Sequence, residues 1–241
     1  MTDHFEILCL LARPAAGKSE VIHFLKNLDP VERLKRFHIG EILELDDFPM
    51  LWTWFEEDDL LQKMGYPRLH TDNDGNFSAP HLWNLLIQRI GLEYRKKIRD
   101  IPDLHKRYTV LVEFSRGKEH RGYKEAFEHI SEEMSQKMSI LYLQVSWEES
   151  LRKNRKRFNP EKPDSILEHG LSDEKLERLY RSDDWDEITA GSKDTLTIRG
   201  NAVPCVTMPN EDDVTTNGGE ILGRRLNEAL TRLWHTACIL K

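Results

Sequence analysis

Cysteine is scarce in this chain of 241 residues: Cys9, Cys205 and Cys238 are far apart and odd in number. They therefore indicate neither a disulfide framework nor a zinc knuckle, and a reducing cytoplasm is the compartment we expect. Long apolar runs are also missing, since none approaches the roughly 20 residues needed to cross a bilayer. Acidic residues precede the first apolar run, so we expect neither export nor membrane anchoring.

Excess positive charge and metal-ligand spacings are missing as well. The 42 acidic residues outnumber the 35 basic ones, which gives a formal net charge of -7. That balance argues against a nucleic-acid polymer or an anionic membrane as the main partner. The histidines never form H-E-x-x-H or a similar spacing, so zinc is not expected. Asp72-Asn73-Asp74-Gly75 matches the D-x-x-G of GTPases, but no apolar strand precedes it and no N-K-x-D follows, so we interpret it as a turn.

Apolar runs of strand length alternate with longer helical patterns along the chain. The strand-like runs cover residues 5–12, 109–114, 139–146 and 202–208, with 36–43 as a weaker candidate because Gly40 interrupts it. The helical patterns cover residues 17–27, 80–99, 123–137, 147–157, 173–182 and 220–234. This alternation predicts an α/β fold with a mainly parallel, five-stranded sheet and helices on both faces. Because no repeat or sharp change of composition divides the chain, residues 1–241 are expected to form one domain.

The most informative stretch reads Ala12-Arg13-Pro14-Ala15-Ala16-Gly17-Lys18-Ser19 and lies between an apolar strand and an amphipathic helix. A phosphate loop needs backbone N–H groups around an anion at a helix N-terminus, a lysine for the outer phosphates and a hydroxyl for magnesium. Gly17, Lys18 and Ser19 meet those needs. Ala12 and Ala15 stand where glycine is usual, and alanine resists positive φ. The alternative is a chance Gly-Lys-Ser at a helix start, but the flanking strand and helix favour a nucleotide site.

This motif and its surroundings resemble the P-loop kinases of the nucleoside and nucleotide kinase type, loosely across most of the chain. The resemblance implies a three-layer P-loop fold that uses ATP and Mg²⁺. It also implies a helical acceptor-binding insert at about residues 44–100 and a lid-like segment at about 150–185. Catalysis would need Lys18, and magnesium would need Ser19. The expected nucleotide contacts are Arg13, Pro14, Ala15, Ala16, Gly17, Lys18, Ser19 and Glu20.

Asp46-Asp47-Phe48 is similar to the acidic-aromatic signature that uridine kinase-like enzymes place near the acceptor hydroxyl. A carboxylate there accepts the acceptor's proton or orients the hydroxyl for in-line attack. Asp47 is the preferred candidate, with little to separate it from Asp46. The alternative interpretation is a solvated acidic turn before a helix, and the sequence does not decide between the two.

Glu113 stands at the carboxyl end of a predicted buried strand, which is where ligands bind in open α/β sheets. It resembles the Walker B carboxylate or the strand-end glutamate of deoxynucleoside kinases, which implies magnesium coordination or proton abstraction. Arg116 follows three residues later and would contact a phosphate of the acceptor or of the transition state. The alternative is structural: Glu113 caps the next segment and pairs with Arg116.

A basic cluster follows the third predicted strand within residues 150–158, although the whole chain is acidic. Nucleotide kinases place a mobile lid here whose arginines neutralise charge on the transferring phosphoryl group. Arg152 and Arg155 are the lid candidates, and Arg178 and Arg181 would complete the lid. The alternative is a solvated helix face paired with nearby glutamates. Residues 71–78 and 159–172 are predicted to be polar excursions.

Asn210 follows the last predicted strand, in the loop that passes beside adenine in the resembling kinases. It would read a base edge there, although asparagine after a strand is more often a turn former. The leading hypothesis is ATP-dependent phosphoryl transfer to a small acceptor, with a nucleoside or nucleotide favoured. The alternatives are a nucleotide-binding regulatory module without transfer activity and an ATP hydrolase. The sequence identifies neither the acceptor nor the oligomeric state, for which a homodimer is one option.

Overall fold

The structure is a computed structural model that describes residues 2–157 and 171–240, and a six-stranded sheet lies at its centre. The strands are β1 (Ile7–Ala12), β2 (Glu41–Asp46), β3 (Tyr108–Phe114), β4 (Met138–Gln144), β5 (Thr195–Ile198) and β6 (Asn201–Pro209). Their order across the sheet is β2-β3-β1-β4-β6-β5. Neighbouring strands are parallel except β5, which pairs antiparallel with β6. The sheet is therefore open and mostly parallel.

Helices connect the strands and cover the sheet. They are α1 (Lys18–Asn27), α2 (Pro30–Phe37), α3 (Asp47–Lys63), α4 (His81–Asp100), α5 (Gly122–Glu128), α6 (Glu132–Ser135), α7 (Trp147–Arg157), α8 (Asp173–Tyr180), α9 (Trp185–Ile188), α10 (Val214–Asn217) and α11 (Gly219–Leu240). Two short 3₁₀ helices cover Leu104–Lys106 and Lys118–His120. In the described ranges, no helix combines the length and the apolar character that a membrane span requires.

The central strand β1 is buried on both faces, so its side chains divide the core in two. Ile7, Cys9 and Leu11 belong to one apolar cluster, which includes residues of α4 and α5. Leu8 and Leu10 belong to the other cluster, which includes residues of α1 and α11. Because successive strand residues point to opposite faces, a continuous apolar run is what a sheet between two helical layers requires. The fold thus has three layers.

The sheet differs from the sequence prediction in two places. The sequence predicts five strands, but the described chain forms six, because the short edge strand β5 carries only two buried side chains and gives little apolar signal. The candidate strand at 36–43 is wrong in its position. Pro30 at the first turn and Asp29 as the N-cap start α2 instead. That helix ends where His38 adopts a left-handed conformation, and β2 begins after Gly40.

The helical prediction for residues 123–137 also differs, because that stretch forms two short helices, α5 and α6, rather than one. Ser131 caps the second of them by accepting the Met134 N–H. Of the segment expected to form a lid, residues 158–170 lie outside the described residues. Most of the predicted polar excursion at 159–172 falls there too.

A buried carboxylate organises the chain between α3 and α4. Asp58 in α3 has no exposed surface, and it accepts the N–H groups of Leu69, His70 and Thr71 together with the Thr71 hydroxyl. Burial by itself raises the pKa of Asp58, but these hydrogen bonds outweigh it and lower the pKa to about 2. The ionised carboxylate therefore holds the returning chain against α3.

We predict that Asp58→Asn lowers the free energy of unfolding at neutral pH by at least about 2 kcal/mol, because an amide NH₂ would then face N–H donors. The folded-state pKa of about 2 lies below the unfolded value of about 3.9. The carboxylate's contribution is therefore complete above roughly pH 4 and lost as the pH falls toward 2. Urea unfolding at a series of pH values from 7 to 3 measures this contribution. The difference in unfolding free energy between wild type and variant should become smaller as the pH falls.

Asp59→Asn is the matched control, since Asp59 is 59 % exposed and pairs only at the surface with Arg68. Its effect on unfolding should be below about 1 kcal/mol at either pH. Equal effects of the two substitutions would contradict the role given to Asp58.

Candidate active site

The loop between β1 and α1 has the backbone of an anion-binding turn. Gly17 is the N-cap of α1 with φ 108°, and Ala15 also has a positive φ of 58°. The first helical hydrogen bond joins the Val21 N–H to the Gly17 carbonyl. The N–H groups at the start of α1 therefore precede the helical ladder and, with the helix dipole, favour an anion.

Two carbonyl groups of this loop accept hydrogen bonds from side chains of other elements. The Ser150 hydroxyl of α7 donates to the Pro14 carbonyl at 2.8 Å, and the Asn210 amide donates to the Ala16 carbonyl at 2.9 Å. In a trans peptide the N–H points away from the C=O. Fixing the carbonyls on one side therefore turns the following N–H groups to the other side, toward the cavity.

Arg13 ties the loop to neighbouring elements. Its guanidinium donates to the Val145 carbonyl at 2.7 Å and to the Tyr180 carbonyl at 3.2 Å, and it pairs with Asp183 at 3.1 Å. The side chain predicted to touch nucleotide thus links the loop to the end of β4 and to the end of α8. It is not part of the cavity wall described below.

Asn210 also lies behind the loop. It has no exposed surface, and its amide group donates to both Ala16 and the Thr215 hydroxyl, while its oxygen accepts the Thr215 N–H. A Cβ on Gly17 would lie 2.3 Å from the Thr215 Oγ1 and 2.9 Å from the Asn210 Nδ2. The loop thus approaches these two residues closely enough to require glycine, and Asn210 positions the loop in this arrangement.

A cavity of about 620 Å³ runs from this loop into a chamber between α3, α4 and α8. Its loop end includes Pro14, Ala15, Gly17, Lys18, Ser19 and Glu20. Its far end is mainly aromatic and includes Phe48, Trp52, Phe55, Phe77, Trp83, His120 and Tyr180. The cavity falls within the range of about 300–1,000 Å³ that is common for small-molecule sites. It lies at the carboxyl ends of β1, β2 and β3, where the open sheet places ligands.

The structure brings Lys18 and Glu113 together at the loop end of the cavity. The Lys18 ammonium donates to the Ser115 hydroxyl at 2.8 Å and lies 3.8 Å from the Glu113 carboxylate. Asp46 is the register partner of Glu113 across β2 and β3. Burial, then the charges of Glu113 and Asp47, raise the pKa of Asp46 to about 8. Burial also raises the pKa of Glu113, against the opposing charge of Lys18.

Asp47 forms a buried ion pair with Arg116. The Arg116 Nη1 lies 2.7 Å from the Asp47 Oδ2, and the guanidinium also donates to the carbonyls of Ser115 and Trp83. Arg116 is only 2 % exposed. Burial raises the pKa of Asp47, against the opposing charge of Arg116. The two predicted catalytic residues are thus adjacent, and Arg116 fixes Asp47 at the cavity wall.

The two arginines chosen as lid residues lie outside this cavity wall. Arg152 pairs with Glu149 and Asp213, and Arg155 pairs with Asp173; both are largely exposed. Helical spacing does not show which face of α7 meets the cavity. In the structure, Asn154 and Arg157 are the residues of α7 that line it.

Basic residues of α8 complete the cavity. Lys175 donates to the carbonyls of Asp74 and Gly75, and Arg178 donates to the Asn76 side chain. The helix therefore bridges to the turn at residues 72–76. The sequence points to Arg178 but not to Lys175, because the partner turn lies about 100 residues earlier in the chain.

Magnesium is compatible with the groups present. Ser19 is exposed at the cavity, and Glu113 is the carboxylate at the end of the adjoining strand. Within the ranges that the structure describes, no group of three or more His, Cys, Asp or Glu residues is arranged to hold a metal by itself. Magnesium typically needs only one or two protein ligands and completes its shell with phosphates and water. A hydroxyl, a carboxylate and a phosphate loop fit that chemistry.

Comparisons with known proteins give similarity at the level of structure. Neither a scan of protein-family models nor a search of curated proteins finds a match. The crystal structure of Kti12 from Chaetomium thermophilum in complex with ADP-AlF3 is similar, with a TM-score of 0.50 and 11 % identity over 95 % of this chain and 98 % of that one. TT1252 from Thermus thermophilus has a TM-score of 0.43 and 13 % identity, over 88 % of this chain and 92 % of that one. The first similarity establishes the P-loop NTPase fold.

We predict that Gly17→Ala weakens ATP binding by about tenfold or more. The added Cβ meets Thr215 and strains a positive φ, and strain of that kind costs about 1–3 kcal/mol. Isothermal titration calorimetry measures the affinity. Gly191→Ala is the control, because nothing lies within 4 Å of its Cβ position and its φ is not positive. Unchanged affinity in Gly17→Ala would contradict the loop geometry described above.

Proposed function

From the P-loop NTPase fold, we propose that this protein transfers the γ-phosphoryl group of ATP to a small acceptor, with a nucleoside or nucleotide favoured. The observation that carries the proposal is the chamber beside the phosphate loop. A loop that only hydrolyses nucleotide needs water beside its lysine, whereas this loop opens into a chamber large enough for a second molecule. Carboxylates lie between the two ends of the cavity.

The loop end supplies groups for the triphosphate. Lys18 and the N–H groups at the start of α1 would hold the outer phosphates, and Ser19 with Glu113 would hold magnesium. Bound magnesium supplies positive charge where the phosphate oxygens gain negative charge. Lys18 is already oriented by Ser115 and Glu113, so little reorganisation precedes binding.

The carboxylates between the two ends supply the proton acceptor. In the transfer, the acceptor hydroxyl attacks the γ-phosphorus and a new O–P bond forms. The bond to the bridging oxygen of ADP breaks, and the hydroxyl proton passes to a carboxylate. Asp47 or Glu113 would orient the acceptor for this step, with Asp47 held in place by Arg116.

A regulatory module and an ATP hydrolase are the competing functions. Kti12 was crystallised with ADP-AlF3, which supports nucleotide binding by this fold but not transfer to an acceptor. Arg152 and Arg155 are engaged in surface pairs and lie away from the cavity. That arrangement favours the regulatory module, because two of the expected lid groups are not at the site.

An assay against a panel of candidate acceptors separates the three functions. A kinase phosphorylates one member of the panel, a hydrolase releases phosphate without an acceptor, and a regulatory module binds nucleotide without either reaction.

We predict that Lys18→Ala lowers transfer about 100-fold or more while the fold persists, because a buried charge at the γ-phosphate is lost. A coupled assay of ADP formation with the best acceptor measures the rate. Lys26→Ala is the control, since Lys26 lies in the last turn of the same helix and pairs with Glu44 at the surface. Full activity of Lys18→Ala would refute the proposal.

We predict that Glu113→Gln raises the Mg²⁺ concentration needed for half-maximal tightening of ATP binding by about tenfold or more. ATP binding in the absence of metal should not weaken, because the charge removed repels phosphate. Calorimetric titrations at stepped magnesium concentrations measure both quantities. Glu44→Gln, on the exposed side of β2, is the matched control. An unaltered magnesium dependence would exclude Glu113 as the ligand.

A further inference from the structure

An arc of aromatic rings forms part of the chamber wall. We define this aromatic arc as Phe55, Phe77, Trp83, His120 and Tyr180. Successive ring centroids are 5.7, 4.7, 3.9 and 5.0 Å apart. Each ring thus supports the next one, and all five contribute to the cavity wall. Rings held in this way present rigid apolar surface on which another planar ring stacks at low entropic cost.

One member of the aromatic arc carries a polar group without a partner. His120 is 4 % exposed, and its Nδ1 accepts the Gly117 N–H at 3.2 Å. The proton is therefore on Nε2, and this atom finds no hydrogen-bond partner among the described residues. Burial, followed by the charges of Arg116 and Arg178, lowers the pKa of His120 to about 3. The imidazole is neutral and retains one buried N–H donor.

Three of the cations that line the chamber already have partners. Arg116 is paired with Asp47 and two carbonyls, while Lys175 binds two carbonyls of the turn. Arg178 binds Asn76 and Glu119. The carboxylates along the cavity wall are Glu20, Asp46, Asp47, Glu113 and Glu119. A second phosphate brought into this chamber would face carboxylates without an uncompensated cation from these three residues, which is costly.

We infer that the chamber binds an uncharged, planar heteroaromatic acceptor, which stacks on the aromatic arc and accepts a hydrogen bond from His120 Nε2, and that it disfavours acceptors already carrying a phosphate. This inference rests on the proposed function, because only a transfer reaction requires an acceptor. It narrows the acceptor from a nucleoside or nucleotide to the unphosphorylated class. His120 is then a specificity-determining residue, because a buried donor left unpaired penalises rings that lack an acceptor atom.

Isothermal titration calorimetry tests the inference on the whole chain, with and without a non-hydrolysable ATP analogue. The probes are the four common ribonucleosides and pyridoxine, their monophosphates, and glucose as an uncharged compound without an aromatic ring. We expect at least one unphosphorylated ring compound to bind about tenfold or more tightly than its own monophosphate and than glucose. Equal or tighter binding of the monophosphates, or of glucose, would overturn the inference.

Substitutions at the aromatic arc supply the second readout. Phe55→Leu should weaken binding of the best probe by about tenfold, because the stacking contact with the Phe55 ring is lost. His120→Phe, which keeps a ring but removes the donor, should weaken it by a similar factor. Tyr66→Leu is the control, because Tyr66 is 59 % exposed and lies outside the cavity wall. If probe affinity is the same in Phe55→Leu and Tyr66→Leu, the stacking surface is wrong.

The same titrations separate this inference from the proposed function. Lys18→Ala should abolish binding of the ATP analogue but preserve binding of the probe, because Lys18 is not one of the rings of the aromatic arc on which the probe stacks. Binding of the analogue by the wild type with no binding of any probe would overturn the inference and leave nucleotide binding intact. Binding of a probe without any binding of the analogue would overturn the proposed function instead.

Discussion

The close approach between Gly17 and the Asn210–Thr215 pair is the contact on which the site depends. These residues follow β6, which lies beside β4, which in turn lies beside β1. The strand order therefore places the end of β6 next to the loop that follows β1, on the side where the Asn210–Thr215 pair contacts it. The hydrogen bond from Asn210 to the Ala16 carbonyl turns the N–H of the next peptide, that of Gly17, to the opposite side. A side chain at position 17 would remove that arrangement, because the space is filled.

Compensated charge is the second organising feature of the cavity. Burying a carboxylate is costly unless a cation or hydrogen-bond donors accompany it. Asp47 has Arg116, and Glu113 has Lys18. Asp46 lies beside two other carboxylates, which together with its burial explains why its pKa is raised so far.

The sequence predicts the parts of this structure that depend on local pattern. The strands β1, β3, β4 and β6 are found because continuous apolar runs mark strands buried on both faces. The turn between β1 and α1 is found because its sequence spacing and the elements on either side of it agree. The edge strand β5 is missed because its alternation of buried and more exposed residues covers only four positions.

Contacts between distant segments could not be predicted in the same way. Arg116 and Asp47 are 69 residues apart, and nothing in either local pattern indicates that they pair. The choice of Arg152 and Arg155 as lid residues follows from counting charges, whereas the face of α7 that meets the cavity is set by how Ser150 packs beneath the loop. The aromatic arc likewise comes from four separate stretches of chain, and only the fold brings them together.

Helix α8 links the two ends of the cavity. Its carboxyl end receives Arg13 of the phosphate loop, and Gly117 after β3 lies so close to the Leu179 carbonyl that a Cβ would be 1.9 Å away. Its first turns hold the turn at residues 72–76 through Lys175. The phosphate loop, the end of β3 and the wall of the chamber therefore share one helix. Because α8 contacts both the loop and the turn, a displacement of this helix would change contacts at both places.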